Sequence, residues 1–327
     1  MNRRTLLRTA AGALLLAAGL SVAAPAVQAQ DGKTLCVYDP SGKNGDAYKQ
    51  ATRYQTFAAG KGVKFNLKPY TDEAIAAQDF ANGQCDAALL TGVRAQKFSK
   101  ASYSVEALGL LQSYDDLGNA IKVLAKERAA NLMVSGDYEV AGIFPAGAVY
   151  LYVRDKGVTD VRALAGKKVA TISFDDAAMH MVRTAGATPV PADIGTFASL
   201  FNEGGVDVCY APATAYNPLE LHRGIGSTGG VIRYPVTQLT LQILVRKDAF
   251  PEGFGQQSRE WGAAQYGSML SVVKKGEASV KAEHWIDLPQ EDHQRYRDLL
   301  GKVRGELTAK GQYDPTVVAL LEQMTGQ

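Results

Sequence analysis

The chain has 327 residues, with 35 Lys and Arg against 33 Asp and Glu and an apolar content of 46%. That length exceeds what one hydrophobic core serves, and no low-complexity linker divides the chain, so two lobes of ordinary domain size are expected. The near balance of charge excludes the clustered cationic excess that nucleic-acid phosphates demand.

The first 29 residues carry Arg3, Arg4 and Arg8, an apolar run from Ala10 to Ala24, and small residues at Val27-Gln28-Ala29. This is the layout of a secretory signal peptide, with cleavage expected after Ala29; the run is too short and alanine-rich for a spanning helix. The sequence NRRTLLR also fits a twin-arginine leader, so Sec and twin-arginine export both stay open. Removing residues 1–29 takes away three arginines and no acid, which leaves 32 basic against 33 acidic residues. No later apolar run is long enough to span a bilayer, so the mature chain is expected in the bacterial periplasm.

The first predicted element is a buried strand, Leu35–Tyr38, then a loop over Asp39–Gly45 and a helix over about Asp46–Ala59. Ala47, Ala51, Tyr54 and Ala58 keep a three-to-four spacing; Asp46 is placed to cap this helix and Gly60 to stop it. Val63, Phe65 and Leu67 alternate as a strand. Thr71 is placed to cap the next helix, with Asp72 and Glu73 in its first turn. A third strand starts near Cys85, beside the first in the common 2-1-3 order. In an oxidising compartment a Cys36–Cys85 bridge is expected, closing a loop of about 48 residues, while Cys209 reads as a buried apolar thiol.

Helical stretches follow near Asp115–Met133. The apolar VAGIFPAGAVYLYVR reads as two strands broken at Pro145, with Val149–Arg154 running toward the second lobe. Strand Lys168–Ile172, two helices, and strand Val206–Cys209 build that lobe. A long strand over Ile232–Val245 returns, and Tyr296, Leu299, Leu300, Val303 and Leu307 make one apolar helical stripe before Gly311 and Pro315. The expected fold is α/β and bilobal: residues 30–146 with about 236–260 form one lobe, and 147–235 with about 261–327 the other, with the C-terminal helices.

Phe80–Gly92 (FANGQCDAALLTG) parallels Phe201–Ala213 (FNEGGVDVCYAPA), each a helix ending at glycine before an acid that opens a short strand. Open α/β sheets bind small molecules where strands end. Candidate ligand contacts are therefore Asp39, Ser41 and Lys43 after the first strand, and Thr91 and Gly92 after the third. Ser173, Phe174, Asp175 and Asp176 follow the strand Lys168–Ile172, and Tyr210, Tyr216 and Asn217 follow the strand Val206–Cys209. Asp175 and Asp176 fit a helix cap as well as a ligand contact. Tyr234 and Gln238 sit on the returning strand, where period two decides which faces the cleft.

With those residues in place, the chain resembles the periplasmic solute-binding proteins of tripartite ATP-independent (TRAP) transporters, chiefly over Val158–Pro218. LAGKKVA (Leu164–Ala170), GATPVPADIGTFASLFNEGGVDV (Gly186–Val208) and the following YNP carry the resemblance. It is similar too to an exported group labelled aminoglycoside-resistance efflux components, a label at odds with a chain lacking membrane spans. The resemblance implies a bilobal binding fold, a small-molecule solute and a membrane permease as partners, and no cofactor. The arginine that typically grips a substrate carboxylate in that family aligns with Ala170, which removes that route; Arg94 and Arg154 are the candidate substitutes.

Other chemical patterns point elsewhere. GIGSTGG places Gly224, Gly226 and Gly229 after a helix-like and before a strand-like stretch, the reverse of a dinucleotide site. His180, His222, His284 and His293 lack zinc-site spacing, so no metal is expected. The expected function is capture of a small solute in an interlobe cleft for a permease, by a monomer. A transporter-independent sensing or drug-sequestering binder and an exported enzyme on the same fold are the alternatives.

Overall fold

The computed structural model describes residues Gly32–Gln327; the expected signal peptide lies outside them. The chain opens with strand β1 (Lys33–Tyr38), helix α1 (Asp46–Ala59), strand β2 (Phe65–Tyr70), helix α2 (Glu73–Ala81) and strand β3 (Ala87–Thr91). Two one-turn helices, α3 (Gly92–Ala95) and α4 (Lys100–Tyr103), lead to helix α5 (Tyr114–Leu124), a short strand β4 (Val134–Ser135) and the 16-residue strand β5 (Tyr138–Val153). Next come β6 (Lys168–Ile172), α6 (Asp176–Thr184), β7 (Thr188–Ala192), α7 (Ile194–Asn202), β8 (Val208–Pro212), a short α8 (Leu221–Ile225) and β9 (Gly230–Ile232). Strand β10 (Thr237–Arg246) returns, followed by α9 (Phe254–Ala264), α10 (Tyr266–Glu277), β11 (Trp285–Ile286), α11 (Gln290–Ala309) and α12 (Pro315–Thr325).

The strands join in the order β2-β1-β3-β10-β5-β8-β6-β7. Strands β2, β1 and β3 run parallel, as do β7, β6 and β8, and the long antiparallel pair β10 and β5 lies between these triplets. The 2-1-3 order expected at the first triplet is present. Cys36 and Cys85 are bonded, with Cα atoms 5.9 Å apart, and Cys209 is a free buried thiol.

The triplets repeat one another in detail. Asp86 accepts from the Thr34 amide at 2.7 Å and Asp207 from the Lys168 amide at 2.8 Å, so each acid of the repeated motif stitches its strand to the neighbouring one. Gly83 and Gly204, which end the preceding helices, have φ of 77° and 81°, the left-handed region where a side chain is strained.

Several local expectations are corrected. Helix α1 starts at Asp46 but is not capped by it; Asp39, back at the end of β1, accepts from the Ser41 amide at 2.8 Å and the Tyr48 amide at 3.1 Å. Asp72, rather than Thr71, caps α2 by accepting from the Ala74 and Ile75 amides. Strand β5 runs unbroken through Pro145, because a register shift against β10 falls there: Thr240 faces Pro145 and Leu239 faces Gly147, leaving Ala146 as the extra residue. The returning strand is split at Pro235 into β9 and β10. The C-terminal helices do not side with the second triplet alone: α11 packs on α6, whereas α12 packs on α5 near the first. Tyr296, Leu300, Val303 and Leu307 are buried along the α11 stripe, as the spacing predicted.

Candidate functional site

A cavity of about 540 Å³ lies at the C-terminal ends of β1, β3, β6 and β8 and against the middle of β5 and β10, a volume in the range of small-molecule sites. Tyr38 and Asp39, Thr91, Phe174 and Asp175, and Tyr210 bring in the four strand ends. Met269, Val272 and Val273 of α10 contribute an apolar wall, and Ile194 and Phe197 of α7 another. A separate void of about 20 Å³ beneath Leu151 and Tyr296 is wholly apolar and too small for a solute.

Of the predicted site residues, Asp39, Ser41, Thr91, Phe174, Asp175 and Tyr210 line the cavity. Asp39 and Asp175 do so as helix caps; Asp175 accepts from the Ala178 amide at 2.9 Å and from the Tyr210 hydroxyl at 3.0 Å, and that hydroxyl accepts from the Ile172 amide at 3.1 Å. Tyr210 thus ties the ends of β6 and β8 together. Arg94 is buried just behind this surface, 3.7 Å from Glu73 with its guanidinium 3.4 Å from the centre of the Phe174 ring.

The remaining candidates lie elsewhere. Arg154 is at the opposite end of the sheet, donating to the Phe201 carbonyl at 2.8 Å, and Arg246 donates to the Phe80 carbonyl at 2.7 Å in the matching place of the other triplet. Both arginines clamp the last turn of a helix. Tyr216 is in the core behind β8 with its hydroxyl 2.7 Å from His284 Nδ1, and Tyr234 stacks on Tyr296 at 5.2 Å. Strand alternation decides Gln238: Thr237, Leu239 and Leu241 face the cavity, so Gln238 is buried on the other side. Lys43, Ser173, Asp176 and Asn217 are exposed and outside the lining. Gly92 is outside it as well, but a side chain there would collide with the Glu106 carboxylate, so its lack of one makes room for that group.

Glu73 and Glu106 line the cavity and were not anticipated as site residues; they are 2% and 3% exposed. Glu73 Oε1 accepts from the Thr91 amide at 2.7 Å. Glu106 Oε1 accepts from the Thr240 amide and hydroxyl at 2.7 and 2.6 Å. Oε2 of each has no hydrogen-bond partner among the described residues. Burial pushes Glu106 up to about 8; the Thr240 bonds oppose the rise and the nearby Asp175 and Glu73 charges add to it. Burial raises Glu73 too, outweighing the Thr91 bonds and the Arg94 charge, and it likewise raises Asp175. The one sequence signal for Glu106 is its position as the sole charge in Ala101–Gln112, an otherwise uncharged stretch.

Among the described residues no group of His, Cys, Asp and Glu is arranged to hold a metal ion, and no helix is long and apolar enough to cross a membrane. The family profile described as solute-binding protein AdeT 1/2 matches residues 55–327. The Acinetobacter baumannii protein described as "Probable solute-binding protein AdeT1" is 36% identical over 288 residues, 88% of this chain and 95% of that one. Two solved structures share the fold: a TRAP periplasmic solute-binding protein from Rhodoferax ferrireducens with bound malonate (TM-score 0.70, 16% identity, 90% and 98% of the two chains) and one from Desulfovibrio desulfuricans with bound sn-glycerol-3-phosphate (0.70, 13%, 89% and 95%).

Proposed function

The chain belongs to the solute-binding protein AdeT 1/2 family, and from that premise we propose that it holds its solute in the 540 Å³ cavity and passes it to a membrane permease. The observation that carries the reading is the cavity's position: both parallel triplets end at it, so a solute there touches both at once. The triplets move as two lobes joined through β5 and β10, and contacts from both exist together only when the lobes are closed. A ligand then shifts the open and closed populations by its differential affinity for them. The N-terminal leader read in the sequence supports capture in the periplasm.

Binding rather than catalysis is the reading the site supports. Cys209 is fully buried and burial raises its thiol, so it does not present a thiolate to the cavity. A melting screen of small metabolites on the mature chain tests the proposal. A ligand at about 100 times its dissociation constant adds roughly 2.7 kcal/mol to stability, and calorimetry on each hit should give one site per chain with no product formed. Turnover of a hit, or hits whose binding is indifferent to substitution of Tyr210, overturns it.

A further inference from the structure

Resting on that reading, we propose that the solute is a cation, an amine or guanidinium compound whose charged group sits against Glu106, whose Oε2 has no hydrogen-bond partner among the described residues, with Glu73 in the same lining. Three carboxylates, Glu73, Glu106 and Asp175, are buried at the floor of one cavity. Both oxygens of Asp175 are engaged, by the Ala178 amide and the Tyr210 hydroxyl. Glu73 and Glu106 each have one oxygen fixed by the backbone amide of a strand residue; the second oxygen of Glu106 has no partner among the described residues, while that of Glu73 lies 3.7 Å from Arg94 Nε, beyond hydrogen-bond reach.

A buried carboxylate oxygen left without a donor is costly, and an ionised one more so. Arg94 is the buried cation at hand, and it is committed: it lies against Glu73 at 3.7 Å and over the Phe174 ring. Lys49 and Arg53 also line the cavity but are exposed at its rim, where solvent and salt screen them. Arg94 Nε and Gln50 Nε2 are themselves without a hydrogen-bond partner among the described residues, so what the floor lacks is positive charge, three carboxylates to one guanidinium, and an ammonium or guanidinium supplies it. A carboxylate solute would add negative charge to that excess. Phe174, Phe197 and Tyr210 offer aromatic walls beside the acids, and aromatic faces also attract cations. Burial and the neighbouring Asp175 and Glu73 charges raise the Glu106 carboxyl, and the same surroundings that disfavour its anion favour a cation beside it.

The test is the melting temperature of the mature chain with three probe sets at about 10 mM, on the order of 100 times a 0.1 mM dissociation constant. The sets are cations (putrescine, agmatine, arginine methyl ester), dicarboxylates (malonate, succinate) and neutral polyols. At least one cation should raise the melting temperature, and Glu106→Gln should weaken its binding roughly 10- to 100-fold in calorimetry. Glu73→Gln gives the same reading if the Glu106 variant folds poorly. Stabilisation by dicarboxylates or polyols alone, or a cation that binds both variants as tightly as the parent, overturns the inference while leaving solute capture standing. Failure of every set, with no small molecule released when the purified protein is denatured, overturns capture itself and the inference with it.

Discussion

Glu106 is held where its charge is least welcome, and that has a consequence for pH. Its carboxyl is raised from 4.5 to about 8 in the folded protein by burial, against the bonds from Thr240. The charged and titratable groups that face it are Glu73 of α2, Asp175 before α6, and the phenols Tyr103 and Tyr313, whose own shifts include its charge. Between these two values the folded state binds a proton that the unfolded state has lost, so stability falls as pH rises. The penalty is absent below about 4.5, grows by up to about 1.4 kcal/mol per pH unit, and is complete above about 8. Glu106→Gln should flatten that part of the profile, so that the variant gains on the parent between pH 5 and pH 8 when urea midpoints are compared. An unchanged difference between the two proteins across that range would mean that Glu106 is ionised and satisfied in the free protein.

At the scale of elements, the repeated motif makes two equivalent clamps, and they predict equivalent behaviour. Arg154 follows β5 and donates to the Phe201 carbonyl at the end of α7; Arg246 ends β10 and donates to the Phe80 carbonyl at the end of α2. Each also has its backbone amide on the carbonyl of the stitching acid, Asp207 or Asp86, at 3.0 Å. Arg154→Ala and Arg246→Ala should each cost about 1 to 3 kcal/mol by leaving helix-end carbonyls short of a donor, and neither should change solute affinity. A tenfold loss of affinity in Arg154→Ala would return that residue to the binding site.

The same elements show what could be read from sequence. Helix α1 and strand β1 were legible because burial imposes a spacing that short-range patterns record. The cap of α1 was not, since Asp39 reaches forward nine residues to Tyr48 while the nearer Asp46 only looks the part. Alternation along β10 was legible but not its phase, which turns Gln238 away from the cavity, and Tyr234 precedes the strand. Glu106 was hidden because what fixes it, Thr240, is 134 residues away. Arg154 misled for the same reason: its strand was right, but the end of the strand it occupies is the one away from the cavity.

For the molecule as a whole, the cross-link joins the approach to β3 to the body of β1, and the cavity lies at the ends of those strands. Cys85 precedes β3 and Cys36 is in the body of β1, while Asp39 and Thr91, where those strands finish, line the cavity. The bridge spans a separation of 49 residues, so Cys36→Ala with Cys85→Ala should lower stability by about 2 to 4 kcal/mol, mostly through the unfolded chain. The strand ends remain in register through the β1–β3 ladder, so the stabilisation given by a saturating solute should survive in this variant, measured as the difference in melting with and without ligand. Closure is a separate matter from stability. Where the chain passes between the triplets, β5 carries the extra residue Ala146 and then Gly147 at φ 130°, a conformation that side chains rarely adopt. A bulge next to such a glycine is where a long strand bends most readily. Because the cavity wall draws on both triplets, a bound solute is expected to shrink the radius of gyration in small-angle scattering. Gly147→Val should reduce that contraction, since a Cβ there meets Pro212 at 3.2 Å and Thr214 at 3.4 Å. A solute that raises the melting temperature while scattering is unchanged in the parent would show that the walls do not move, and that binding selects no closed form.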